Sequence, residues 1–117
     1  CRFRNLSRKK YLYLLKNCLF IIGNSSSGII EAPFFKKACI NIGRRQKGRY
    51  KGLNVVDSDS SLISIRKAIA KVMSNEFKEN LKKCDSPYGD GNSTKKLIEL
   101  LIQHETSQKL IVKDLTC

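Results

Sequence analysis

Apolar residues in this chain alternate between short continuous runs and stretches where they recur every three or four positions. Leu19-Phe20-Ile21-Ile22 and Ala38-Cys39-Ile40-Asn41-Ile42 are short, β-branched or aromatic, and each ends at a glycine, Gly23 and Gly43. Such runs read as buried parallel strands. Leu53-Asn54-Val55-Val56 reads as a third short strand. Between them the period lengthens. Tyr11, Leu14, Leu15 and Cys18 mark one face of a helix over residues 7–17, with Arg8, Lys9, Lys10 and Lys16 mostly on the other. A helix is expected from about Ser26 to Lys36, which Pro33 should kink or shorten because it lies beyond the first turn. The Asp57–Ser61 run supplies caps for a helix through Leu62, Ile65, Ala68, Ile69 and Val72. Residues 76–83 suggest a further short helix, Tyr88–Asn92 a turn, and Ser93–His104 a last helix with Leu97, Ile98, Leu101 and Ile102 on one face.

Strands alternating with helices across short polar connections imply an α/β fold with a parallel sheet flanked by helices. Right-handed crossovers place the ends of the first two strands side by side, on the edge where such sheets take ligands. Three strands are few, and a bare sheet edge is a liability, so the chain reads as the end of a longer one. Residues 1–104 form one partial domain in this reading, and 105–117 a tail without a clear pattern.

The chemistry concentrates in Gly23-Asn24-Ser25-Ser26-Ser27-Gly28-Ile29-Ile30-Glu31-Ala32-Pro33. A strand that ends in glycine and three serines and then opens a helix brings hydroxyls and unpaired N–H groups to one spot. That combination suits a phosphate or diphosphate, although a capped helix after a buried strand would look similar. Ser27 reads as the N-cap. Glu31, one turn on, could accept hydrogen bonds from a sugar diol.

Charge sharpens this picture. The chain of 117 residues carries a net charge of +13. Residues 1–56 hold 13 Lys/Arg against the single acid Glu31, whereas the remainder holds ten against nine. A basic half around the serine loop fits an anionic ligand. Nucleic acid is the competing anion, but the basic half has no recognisable motif for reading RNA or DNA.

The five cysteines are scattered, with no CxxC pair or Cys/His spacing for zinc, so we expect no metal and no cofactor. They read as reduced thiols in a cytoplasmic protein. No run approaches the roughly 20 apolar residues of a membrane span.

Three motifs occur together and in order: the serine loop, Ile40-Asn41-Ile42-Gly43-Arg44-Arg45-Gln46-Lys47-Gly48-Arg49, and Tyr88-Gly89-Asp90-Gly91-Asn92. Their order and spacing resemble the hydrolysing UDP-N-acetylglucosamine 2-epimerases of sialic acid biosynthesis, in their C-terminal part and over about residues 6–104. The resemblance implies part of the second of two Rossmann-like domains, arranged as in GT-B glycosyltransferases, with the nucleotide sugar in the cleft between them. The implied reaction converts UDP-N-acetylglucosamine and water to N-acetylmannosamine and UDP, by elimination of UDP and then addition of water. Ser25 and Ser26 correspond to the serines on the UDP phosphates, Glu31 to the acid on the uridine ribose, and Arg45 to the arginine near the nucleotide. The groups that move protons lie upstream of the matched segment in that family, so no catalytic residue is expected here. His104 matches no family site. The implied partners are a UDP-sugar and the N-terminal domain of the same enzyme, and a homo-oligomer is left open. A fragment of a GT-B-type glycosyltransferase and a basic nucleic-acid-binding module are the competing readings.

Overall fold

In the computed structural model, which describes residues 2–103, three short parallel strands form the sheet. Phe20–Gly23 (β1), Ala38–Ile42 (β2) and Val55–Ser58 (β3) lie in the order β1-β2-β3. The register aligns Ile22 with Ile40 and Ile40 with Val56. Ala38, Cys39, Ile40 and Asn41 of the central strand are buried, so both faces of β2 are covered. This is the burial expected of a parallel strand with helices on each side.

The helices are Arg8–Asn17 (α1), Ser27–Ile30 (α2), Leu62–Met73 (α3), Asn75–Lys82 (α4) and Ser93–Gln103 (α5). On one face of the sheet, Ala38 and Ile40 pack with Ala68 and Val72 of α3, Leu81 of α4 and Cys84. On the other, α2 lies directly against β2. Gly28 makes that approach possible: a β-carbon there would collide with the Cys39 sulfur and lie 3.2 Å from Cys39 Cβ. Burial pushes the Cys39 thiol up to about 11, and Asp57 acts in the same direction, so it stays neutral and packs as a small apolar group.

The expected single helix from Ser26 to Lys36 is instead two pieces. After the one turn of α2 comes a 3-10 turn, Ala32–Phe35, with Pro33 inside it. It ends at Lys36, which takes a left-handed conformation at φ 51° and lets the chain reverse into β2. Pro33 has no N–H for an α-helical bond, and it shortened the helix as anticipated.

The third strand lies about two residues later than its apolar run suggests. Leu53 is exposed, whereas Asn54 is fully buried as a polar clasp. Asn54 Nδ2 donates to the carbonyls of Gly28 (3.0 Å) and Lys37 (3.2 Å), and the Asn54 carbonyl accepts from the Cys39 N–H at 2.7 Å. Asp57, which the sequence assigned to a capping run, is therefore inside β3. Asn41 Nδ2 donates to it at 2.7 Å, and Lys51 binds both its oxygens at 2.8 Å. Ser61 caps α3, its hydroxyl accepting from the Ser64 N–H at 3.2 Å. Ser74 caps α4 in the same way from the Phe77 N–H.

Helix α5 forms where its periodicity placed it, but its apolar side is not buried. Leu97, Ile98, Leu101 and Ile102 are all more than half exposed, and no described residue covers them. His104, the end of the expected helix, and the expected tail 105–117 lie outside the described residues. Among those described, no helix is long and apolar enough to cross a membrane, and no three His, Cys, Asp or Glu cluster as metal ligands.

Candidate functional site

The loops that follow β1 and β2 leave the same end of the sheet, and one hydrogen bond joins them. Gln46, buried in the arginine-rich loop, donates from Nε2 to the Asn24 carbonyl of the serine loop at 2.7 Å. The far end of the arginine loop is held too, because the Tyr88 hydroxyl donates to the Tyr50 carbonyl at 2.8 Å. The third motif is itself an ordered turn. Gly89 and Gly91 have positive φ, and Asp90 accepts from the Asn92 N–H and pairs with Lys96 (both 3.0 Å). Those bonds to Asn92 and Lys96 pull the Asp90 carboxyl down to about 2. The serine and arginine loops thus meet at one edge, whereas the Tyr88–Asn92 turn lies beside Pro33, Phe34 and Lys36, which lead into the start of β2.

In the serine loop, Ser26 occupies the N-cap position of α2 with helical backbone angles, and its side chain makes no capping bond. Ser27, expected as the cap, is instead the first helical residue. The reason is local: the Ser25 and Ser26 carbonyls already take the N–H groups of Gly28 (3.3 Å) and Ile29 (3.0 Å) in a tight turn. The Ser25 hydroxyl accepts a long bond from the Ser27 N–H, 3.3 Å. The N–H groups of Ser25 and Ser26 have no partner among the described residues. With four residues, α2 contributes little dipole, so an anion at this loop would be held by local N–H and hydroxyl groups.

Glu31 closes this turn. Its Oε2 accepts from the Ser27 hydroxyl at 2.7 Å, and its Oε1 accepts from Arg8 Nη1 of α1, also at 2.7 Å. The Tyr11 hydroxyl in turn bonds the Ser27 hydroxyl. Partial burial works to raise the Glu31 carboxyl, but the bonds from Ser27 and Arg8 and the Arg8 charge outweigh it and leave it below its ordinary value. It is therefore a carboxylate at neutral pH. The Glu31 side chain is 21% exposed and that of Arg8 72%. Arg45 is exposed in its loop, beside Arg44, Lys47, Arg49 and Lys51 in sequence.

Sequence reasoning missed three participants. Gln46 was hidden among five basic neighbours, and its burial is the signal that sets it apart. Tyr11 carried the helical period of a packing residue, which gave no hint that its hydroxyl would reach Ser27. Arg8 was one cation among many on α1.

Comparison with known proteins decides the family. A family model described as UDP-N-acetylglucosamine 2-epimerase matches residues 2–102. The chain belongs to this family. Among curated relatives, it is similar to a Campylobacter jejuni protein named GDP/UDP-N,N′-diacetylbacillosamine 2-epimerase (hydrolyzing). The two are 53% identical over 78 residues, 67% of this chain and 20% of that protein. It is also similar to polysialic acid biosynthesis protein P7 of Escherichia coli, at 33% identity over 94% of this chain and 28% of the relative. A UDP-N-acetylglucosamine 2-epimerase of Neisseria meningitidis shares 32% identity over 89% of the chain and 27% of its own length. The chain thus spans between a fifth and rather more than a quarter of the length of these relatives. The parallel sheet with helices on both faces, and the family the three motifs resemble, are as the sequence led us to expect.

Proposed function

We propose that this chain supplies the UDP-binding part of a hydrolysing 2-epimerase acting on UDP-N-acetylglucosamine or a further-modified acetamido sugar, releasing UDP. For UDP-N-acetylglucosamine the other product is N-acetylmannosamine. In this proposal the parent enzyme has the two-domain GT-B arrangement, the chain belongs to its C-terminal domain, and the proton-handling groups lie on the remainder. We place the reaction in the cytoplasm. The observation that carries the reading is the joining of the serine and arginine loops at one sheet edge through Gln46. It brings hydroxyls, free N–H groups, a carboxylate and guanidinium groups to the edge where parallel α/β sheets take nucleotides. The Campylobacter jejuni relative carries the name of a hydrolyzing 2-epimerase, which favours the epimerase reading over a glycosyltransferase.

In the proposed complex, Ser25 and Ser26 bind the diphosphate with their hydroxyl and N–H groups. Arg45 neutralises it with a guanidinium, whose fork of donors matches phosphate oxygens. Glu31 accepts from the ribose hydroxyls. The chain's own residues bind and orient UDP here, and the bond-breaking chemistry is left to groups outside it.

The test is a direct titration of the full chain with UDP. Glu31→Ala and Arg45→Ala are each expected to weaken UDP about tenfold or more, the scale of a hydrogen bond to a charged group. Unchanged affinity in both variants would sink the proposal. Binding of any polyanion that falls steeply with salt and shows no preference for UDP would favour the nucleic-acid reading instead.

A further inference from the structure

Tyr11 and Ser27 stand behind Glu31 in a chain of hydroxyls whose direction is fixed by valence. The Ser27 hydroxyl has one proton, and it is donated to Glu31 Oε2 at 2.7 Å. The Tyr11 hydroxyl must therefore be the donor in its bond to Ser27. Tyr11 belongs to α1 and Ser27 to the start of α2, so the hydroxyl relay joins two elements. Such successive hydroxyl bonds polarise one another toward the carboxylate.

The two oxygens of Glu31 are held differently. Oε2 is held from behind by this part-buried relay. Oε1 meets Arg8, whose side chain is 72% exposed and whose grip is correspondingly weak and solvent-screened. A carboxylate offers about four acceptor sites, and two are in use here. The outward sites, and the one Arg8 fills, are those a ligand can reach.

We propose that Tyr11 and Ser27 are positioning residues that hold Glu31 for a vicinal diol, and that they set the preference of this site for ribose over 2′-deoxyribose nucleotides. This rests on the reading of Glu31 as the ribose contact. The diol competes with Arg8 for Oε1, while the Tyr11–Ser27 relay remains in place and keeps the carboxylate from turning away. Neither hydroxyl touches the nucleotide.

The test measures the affinity of the full chain for UDP and for 2′-deoxy-UDP, in the unmodified protein and in Glu31→Ala, Ser27→Ala, Tyr11→Phe and Ser27→Thr. The unmodified protein is expected to prefer UDP about tenfold, the value of one hydrogen bond to a charged acceptor. Glu31→Ala abolishes the preference. Ser27→Ala and Tyr11→Phe each reduce it to about threefold or less by weakening UDP more than 2′-deoxy-UDP, which keeps only the 3′-hydroxyl bond to Glu31; a loose site would instead weaken both ligands equally. Ser27→Thr, which keeps the hydroxyl, retains the preference. Ser27→Ala in the Glu31→Ala background changes nothing further. If Glu31→Ala loses the preference while Ser27→Ala and Tyr11→Phe keep it, the relay does not position Glu31 and the proposal is overturned. If Glu31→Ala itself keeps the preference, the ribose reading of Glu31 fails and the relay proposal falls with it.

Discussion

Replacing Gly28 with alanine is expected to destabilise the chain by roughly 1–3 kcal/mol, the usual penalty for overfilling a close-packed interior. The added methyl would collide with the Cys39 sulfur and stand 3.2 Å from Cys39 Cβ. Neither partner can retreat easily. Cys39 is in the central strand, buried and paired on both sides, and its N–H is bonded to the Asn54 carbonyl. Moving α2 away instead would stretch the bond from Asn54 Nδ2 to the Gly28 carbonyl, 3.0 Å, and leave a buried amide short of a partner. The serine loop is continuous with α2, so the same displacement would disturb the site. Urea-induced unfolding checks this. Cys39→Ala in the Gly28→Ala background removes the sulfur but not Cβ, and should recover part of the loss. Equal stability of Gly28→Ala and the unmodified chain would show that the close approach of α2 to β2 is misdescribed.

The second large effect falls on binding rather than folding. The double variant Ser25→Ala/Ser26→Ala is expected to lose UDP affinity tenfold or more, while its stability stays within about 0.5 kcal/mol of the unmodified chain. A serine at an N-cap ordinarily contributes to stability, and its loss costs about 1 kcal/mol. Here the Ser26 side chain makes no capping bond, and the bond accepted by Ser25 is long at 3.3 Å. Both hydroxyls are largely uncommitted, which is what separates their loss from a structural defect. Calorimetric titration paired with thermal unfolding distinguishes the cases. A large drop in stability with UDP binding intact would mean that the serines serve the fold instead.

The parts of this architecture that depend on local pattern were legible in the sequence. Two apolar runs gave β1 and β2 within a residue, and Pro33 announced that its helix would be cut short. The apolar face of α5 was also visible, but periodicity cannot say what lies opposite a face, and here its residues are exposed. The third strand was misplaced because its apolar run was taken to mark its start at Leu53. Long-range bonds decide otherwise: the Asn54 amide serves the carbonyls of Gly28 and Lys37 ahead of the strand. Asp57 was taken for a cap for a similar reason. An acid among serines looks like a helix start unless Asn41 and Lys51 are known to be beside it.

The site follows the same division. Ser25, Ser26 and Glu31 could be named as candidates from residue type and spacing, because phosphate and diol chemistry restricts which side chains serve, and Arg45 from the family resemblance. Their supports could not. The Gln46 bond to Asn24 spans 22 residues and the Tyr11 bond to Ser27 spans 16, and nothing local in either sequence context encodes them.

A thermal unfolding scan of the full chain with excess UDP, against ADP at the same concentration, tests the central claim most directly. A ligand stabilises only the state it binds, and saturation a hundredfold above Kd is worth about 2.7 kcal/mol. For a domain of about 100 residues, that is a rise in Tm of roughly 10–20 °C. The account predicts a cooperative transition that UDP raises by this order and ADP leaves close to its ligand-free value. A cooperative transition that UDP does not move, or that both nucleotides move equally, would contradict it.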